Sequence, residues 1–101
     1  KISCFGIAFK PDIDDLRESP ALDITQVLAE KYKGQVTVVE PNIETIPTSL
    51  SALEVELISM ESALTAADVV VMLVDHKEFK LHNFEGKNDQ LIVDTKGTWG
   101  K

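Results

Sequence analysis

The chain has 101 residues, 44% of them hydrophobic and only 6% aromatic, which is typical of one domain with an aliphatic core. Its 17 acidic and 10 basic residues give a formal net charge of -7, which argues against nucleic acid and anionic membranes as partners. No apolar run is long enough to span a bilayer, and a single cysteine, Cys4, favours a reducing, cytoplasmic location.

Strands and helical segments are predicted to alternate along the chain. Ser19-Pro20 is a typical helix start, and Gly34 suits the position beyond that helix's end. The residues between 42 and 51 leave room only for a short or late helix. In chain order we expect a strand over 2–9, a loop over 10–18, a helix over 20–32, strands over 35–40 and 55–58, a helix over 59–67, a strand over 68–74, a loop with a helical turn over 75–84, and a strand over 91–94.

This alternation predicts an α/β fold with a doubly wound, mostly parallel sheet of five strands and helices on both faces. Right-handed crossovers give a Rossmann-like strand order of 3-2-1-4-5, with the first strand in the centre. Ligands of such sheets bind where the strands end and the winding direction reverses. We therefore expect the site between the ends of the first and fourth strands.

The predicted topology brings several chemically useful residues to that place. Phe9 and Lys10 leave the first strand, His76 follows the fourth, and Lys96 follows the fifth. Lys10 and Lys96 could together hold a phosphate or pyrophosphate as point charges. The alternative of two solvated lysines stays open, and so does the choice for Phe9 between the core and stacking on a base.

Other candidate residues predict no catalytic or metal site. Gly6 stands alone, without the G-x-G-x-x-G fingerprint of a dinucleotide-binding turn, so Glu40 at the end of the second strand is interpreted as a helix-cap or turn acid. His76 and His82 lack a third ligand at zinc spacing. Cys4 lies within a predicted strand, which indicates a packed thiol rather than a nucleophile.

Two functions of other classes also fit a five-stranded doubly wound domain. Asp14, Asp15, Asp75 and Lys96 imitate the acidic residues and lysine of a phosphoryl receiver domain. Their spacing is wrong, because Asp75 follows the fourth predicted strand and not the third. A non-catalytic interaction module is the remaining alternative.

Four stretches of the sequence resemble the C-terminal, UDP-binding domain of the UDP-glucose/GDP-mannose dehydrogenase family. They follow one another in the family's order: GIAFKPDIDDLRESP over 6–20, VVEPN over 38–42, ADVVVMLVDH over 67–76 and VDTKG over 93–97. The resemblance covers essentially the whole chain. It implies that residues 1–101 are one such domain of a longer nucleotide-sugar dehydrogenase.

The resemblance also implies a chemistry that this chain does not complete alone. The family oxidises the C6 alcohol of a nucleotide sugar to a carboxylate, with NAD as hydride acceptor and a catalytic cysteine. That cysteine and the NAD-binding domain belong to the N-terminal and central parts of the enzyme. The chain alone is therefore expected to be inactive, Cys4 does not match the nucleophile, and the full enzyme is expected to be a homodimer or larger.

Residue roles carry over from the family only at matching positions. The resemblance implies that Phe9 and Lys10 contact the UDP-sugar, and that Lys96 occupies the place of a basic residue after the last strand. It implies that Arg17, the only arginine, reaches toward NAD bound on another domain. In the isolated domain Arg17 could instead pair with a neighbouring acid such as Asp14.

Overall fold

A computed structural model describes residues 1–8, 19–41, 43–74, 76–80 and 91–94. Strands and helices alternate through these residues, as the sequence predicts. They are β1 (Ile2–Phe5), α1 (Pro20–Lys31), β2 (Val36–Val39), α2 (Thr48–Ser51), β3 (Glu56–Leu57), α3 (Met60–Ala66), β4 (Val69–Met72), α4 (Lys77–Lys80) and β5 (Leu91–Asp94).

The five strands form one sheet in the order β3-β2-β1-β4-β5, and every pair of neighbours is parallel. This confirms the predicted doubly wound order, with β1 in the centre. All strands therefore end on the same side of the sheet, which we call the carboxyl edge. The order differs from the 2-1-3-4-5 arrangement of flavodoxin-like and receiver folds.

The central strands contribute to two separate apolar layers, because successive side chains of a strand point to opposite faces of the sheet. Cys4 lies beside Val38 and Val71 in the layer that α1 and α2 cover. Phe5, the next residue, belongs to the opposite layer, where α3 and Phe79 of α4 cover the sheet. Burial on both faces explains why β4, and β1 apart from Ser3, appear as apolar runs.

The central strands are shorter than the apolar runs predict. The β1 strand ends at Phe5 instead of residue 9, because Gly6 leaves the extended conformation with a φ of +92°. A Cβ at Gly6 would lie 2.6 Å from Val74 Cβ and 2.9 Å from Val74 O. The glycine thus allows the chain after β4 to pass close against the end of β1.

The helix start and end signals are confirmed. Ser19 is the N-cap of α1 and accepts a hydrogen bond from Leu22 N, and Pro20 is the first helical residue. Gly34 follows the helix with a φ of +81°. None of the helices in the described ranges has the length and apolar content needed to cross a membrane.

The only cysteine is a core residue, as predicted. Cys4 is fully buried in β1, and this burial raises the pKa of its thiol to about 11, while a hydrogen bond with Thr25 lowers the pKa by less. A thiol with so high a pKa carries almost no thiolate at neutral pH. Cys4 is therefore unsuited to act as a nucleophile.

Replacing Gly6 by alanine should lower the free energy of unfolding by about 2–5 kcal/mol, because a left-handed alanine and its clash with Val74 both cost energy. Gly34→Ala is the matched control: its φ is also positive, but the nearest atom is the flexible Glu54 Oε1 at 3.3 Å. A loss of about 1–2 kcal/mol is expected there. Urea denaturation measures both, and equal losses would contradict the close packing at Gly6.

Alkylation of Cys4 by iodoacetamide at pH 8 should be at least about 100-fold slower in the native chain than in urea. Two pKa units between the ordinary value of 9.0 and about 11 reduce the thiolate roughly 100-fold, and burial slows the reagent further. Mass spectrometry of timed samples gives both rates. Fast modification of the folded chain would show that the thiol is accessible.

Candidate functional site

The described part of the carboxyl edge contains the ends of β1, β2 and β4 side by side. Parallel pairing places Phe5 of β1 opposite Val39 of β2 and Met72 of β4. The residues that follow these strands must therefore meet. Glu40 follows β2 directly, and His76 lies four residues beyond β4.

A buried carboxylate connects these three strand ends. Glu40 Oε1 accepts hydrogen bonds from the backbone N–H groups of Ile7, at 2.8 Å, and Ala8, at 3.2 Å. His76 Nε2 lies 2.9 Å from the same oxygen and 2.8 Å from Oε2. The side chains of Glu40 and His76 both have an exposed fraction of 0%.

Burial of a carboxylate is costly unless hydrogen-bond donors surround it. An ionised carboxylate only accepts hydrogen bonds, so an ionised Glu40 pairs with the His76 tautomer that carries its hydrogen on Nε2. Together with the amides of Ile7 and Ala8, the imidazole supplies three donors to Glu40. Removing one partner would leave a buried donor or acceptor unsatisfied, which in general costs about 1–3 kcal/mol, and more for a charged group.

Aromatic packing holds the imidazole against the sheet. The His76 and Phe79 rings meet edge to face with centroids 5.5 Å apart, and the Phe5 and Phe79 rings are 5.1 Å apart. The backbone of α4 also starts here, since Phe79 N donates to His76 O over 3.0 Å. The ring of His76 is thereby oriented toward Glu40.

Ser19 joins the start of α1 to the same backbone segment. Its hydroxyl lies 2.7 Å from Ile7 O and 3.1 Å from Ala8 O as a donor, while it accepts from Leu22 N at 3.2 Å. Ser19 is only 2% exposed. Ala8 and Ser19, the described residues on either side of positions 9–18, are therefore joined by this hydroxyl.

The sequence-predicted binding residues lie outside the described residues. Phe9 and Lys10 follow Ala8 directly in the chain, Arg17 lies two residues before Ser19, and Lys96 lies two residues after β5. Their predicted roles therefore stay predictions. The same holds for Asp75, which the receiver alternative required.

Of the residues predicted to meet at this edge, the described one is His76, and the topology does place it there. Its partner Glu40 was not predicted from the sequence. Glu40 was interpreted as a local cap or turn acid, whereas its described contacts reach Ile7 and Ala8, more than 30 positions away. A signal existed. Glu40 and His76 are titratable residues that follow the two strands flanking β1 in the predicted order.

Neither a metal site nor an ordinary dinucleotide site is built from the described residues. Within the described ranges, no three His, Cys, Asp or Glu side chains lie close enough to hold a metal ion. The amides after the first strand, which bind the pyrophosphate in dinucleotide-binding domains, already donate to Glu40. A neighbouring cavity of about 230 Å³, beyond the ends of β2 and β3, has mainly apolar walls and offers few groups for a phosphate.

Two relatives with curated descriptions match almost the whole chain. A UDP-N-acetyl-D-mannosamine dehydrogenase of Yersinia pestis is 58% identical over 99 residues, covering 98% of this chain and 23% of the relative. An NDP-N-acetyl-D-galactosaminuronic acid dehydrogenase of Ralstonia nicotianae is 46% identical over 97% of this chain, again 23% of the relative. The chain thus spans about a quarter of the length of these relatives.

A solved structure shares the fold over nearly the same extent. The UDP-N-acetyl-mannosamine dehydrogenase Cap5O of S. aureus superposes with a TM-score of 0.66 and 27% identity, covering 97% of this chain and 26% of that chain. The motifs FKPDIDDLRESPA over 9–21, VVEPN over 38–42 and VMLVDH over 71–76 predict similarity to UDP-N-acetyl-D-mannosamine dehydrogenases. The relative from Yersinia pestis and the structure from S. aureus confirm that similarity.

The family resemblance that the sequence motifs predict is confirmed by a match to a family model. Residues 3–101 match the model described as the UDP-glucose/GDP-mannose dehydrogenase family, UDP binding domain. The match includes all five strands apart from the first residue of β1, and with it the buried contact of Glu40 with His76. The chain therefore belongs to the UDP-glucose/GDP-mannose dehydrogenase family and corresponds to its UDP binding domain.

Proposed function

We propose that this chain binds the UDP part of a UDP-sugar within an NAD-dependent nucleotide-sugar 6-dehydrogenase, and that the sugar is N-acetyl-D-mannosamine. The observation that carries the proposal is the 58% identity to the Yersinia pestis UDP-N-acetyl-D-mannosamine dehydrogenase across 98% of this chain. Because the chain spans only 23% of that relative, the activity of the whole enzyme is part of the proposal.

The carboxyl edge supports the assignment of the binding residues. Phe9 and Lys10 are the first residues after a backbone segment that Glu40 fixes, at the place where doubly wound sheets bind ligands. In the proposal Lys10 and Lys96 hold the pyrophosphate as point charges, and Phe9 packs against the nucleotide. Two lysines match the two negative charges of a nucleoside-diphosphate sugar, so the net charge of -7 does not exclude such a ligand.

The described residues do not fit NAD in the position that a dinucleotide-binding domain uses. The amides of Ile7 and Ala8 are bound to Glu40, and the glycine-rich turn is missing from the sequence. In the proposal another domain of the enzyme holds NAD, which accepts the hydrides removed from the sugar alcohol. This chain contributes Arg17, whose planar guanidinium suits a pyrophosphate or a ribose edge.

The alternatives from other classes receive less support. A phosphoryl receiver has the strand order 2-1-3-4-5, whereas this sheet has the order 3-2-1-4-5. A non-catalytic interaction module would not account for the match of residues 3–101 to a UDP binding domain. Within the family, UDP-glucose and UDP-N-acetylglucosamine are the alternative substrates, because the central part of the enzyme contributes to sugar selection.

The proposal includes the setting in which the chain works. Its partners are the N-terminal NAD-binding and central domains of the same enzyme, in a homodimer or larger assembly. A cytoplasmic location agrees with a single cysteine that is buried and unpaired. It also agrees with a nucleotide-sugar substrate and with NAD.

Lys10→Ala and Lys96→Ala should each raise the KM for UDP-N-acetyl-D-mannosamine about 10–100-fold in the full-length enzyme, since each removes a charged contact to phosphate. Lys33→Ala is the matched control: it removes the same charge, but Lys33 precedes β2 at the opposite edge, where it pairs loosely with Glu54 at 3.8 Å. NADH absorbance measures the rates.

Two outcomes of this experiment contradict parts of the proposal. Unchanged KM values in both lysine variants would remove the phosphate role of the carboxyl edge. A larger kcat/KM with UDP-glucose or UDP-N-acetylglucosamine than with UDP-N-acetyl-D-mannosamine would change the substrate.

The 101-residue chain alone should form no NADH from UDP-N-acetyl-D-mannosamine and NAD. Its only cysteine is buried, with a pKa raised to about 11, and cannot attack an aldehyde at neutral pH. The full-length enzyme at the same molar concentration is the control and should form NADH. Turnover by the chain alone would contradict the location of catalysis on other domains.

A further inference from the structure

The backbone after β1 continues the sheet for only one residue. Gly6 N donates to Val39 O over 2.8 Å, as a further rung between β1 and β2. For the next two amides, those of Ile7 and Ala8, the acceptor is the side-chain carboxylate of Glu40. The side chain of Glu40 thus replaces the backbone of β2 as the acceptor for the residues directly before Phe9 and Lys10.

Adjacent backbone amides that point at one oxygen form an anion site, and dinucleotide-binding domains use such amides for a phosphate. Here the anion is internal, because Glu40 Oε1 lies within 3.2 Å of both nitrogens. His76 holds the carboxylate from the side of β4. The two amides that follow Gly6 are therefore bound by a side chain of the protein itself.

We propose that Ser19, Glu40 and His76, together called the base clamp, are positioning residues for the UDP-sugar site. The base clamp fixes both ends of the segment 9–18, which contains Phe9, Lys10 and Arg17. This inference rests on the proposed function, because positioning has meaning only if these residues contact the ligand.

The base clamp acts on the backbone from two sides. Glu40 binds the N–H groups of Ile7 and Ala8, while the Ser19 hydroxyl binds the carbonyl oxygens of the same two residues. Both the N–H and the C=O groups of the residues directly before the segment are thereby held. Binding to a segment that is already held in place costs less conformational entropy than binding to a segment that the ligand must first order.

Two variants of Glu40 separate the length of its side chain from its charge. Glu40→Asp keeps the charge but withdraws the carboxylate by one methylene group, so it cannot stay at hydrogen-bond distance from both amides. Glu40→Gln keeps the length and one carbonyl oxygen for the amides but loses the charge. If the base clamp positions the segment, the loss of affinity should be larger for Glu40→Asp than for Glu40→Gln.

The test measures the Kd for UDP by calorimetry in the full-length protein, together with the melting temperature. We expect UDP affinity to fall about 10–100-fold in Glu40→Asp and less in Glu40→Gln. Hydrogen exchange, measured by mass spectrometry in the absence of UDP, reports on the peptide that contains Ile7 and Ala8. Its exchange should accelerate more in Glu40→Asp than in Glu40→Gln. This exchange readout does not depend on UDP.

Two controls separate positioning from a general loss of stability. Gly34→Ala strains the chain at the opposite edge and should lower the melting temperature with a UDP affinity like that of the wild type. Glu56→Asp makes the same chemical change at an exposed glutamate of β3 and should alter neither quantity. If UDP affinity instead follows the melting temperature across all variants, the inference is wrong.

A second pair of variants decides the question if the Glu40 variants do not fold. Ser19 and Ser59 are both helix N-caps that accept from the N–H three residues later, at 3.2 and 3.1 Å. Ser19 also binds the Ile7–Ala8 backbone, whereas Ser59 is exposed. Ser19→Ala should weaken UDP binding about 10-fold, and Ser59→Ala should leave it unchanged.

The outcomes distinguish this inference from the proposed function. Wild-type affinity in folded Glu40→Asp, or equal affinity in Ser19→Ala and Ser59→Ala, overturns the positioning role and leaves the proposed function standing. A wild-type enzyme that neither binds UDP nor oxidises any UDP-sugar overturns both.

Discussion

The hydrogen bonds of one buried carboxylate determine how the carboxyl edge is built. Glu40 ends β2, its oxygens bind the backbone that follows β1, and its second partner His76 comes from beyond β4. Without internal donors this carboxylate would be too costly to bury. The three strand ends therefore have to lie in one register, and the parallel sheet provides it.

The contact between Glu40 and His76 also explains the glycine at position 6. Gly6 adopts a positive φ and leaves room for Val74, so that the chain after β4 can approach β1 and bring His76 to Glu40. Phe79 then covers the imidazole from the layer that also contains Phe5. Packing and polar contacts are thus interdependent, because the apolar layers hold His76 at hydrogen-bond distance from Glu40.

The alternation of strands and helices, together with right-handed crossovers, was sufficient to predict the strand order. Ser19-Pro20 and Gly34 were sufficient to predict the two ends of α1. The length of β1 was overestimated, since an apolar run does not record the conformation of Gly6. The second contact of Ser19, to Ile7 O, and the orientation of Glu40 depend on residues distant in sequence. Such contacts follow only from the assembled sheet.

The central position of β1 also determines the order in which the domain can be assembled. Ile2 pairs with Val36 on one side and with Val69 on the other, so β1 can complete its pairing only with two strands that come later in the chain. Non-local parallel pairing of this kind slows folding, because loop-closure entropy is lost before the contacts form. The Glu40–His76 contact needs β4 in place, so the carboxyl edge is complete only when β4 has paired with β1.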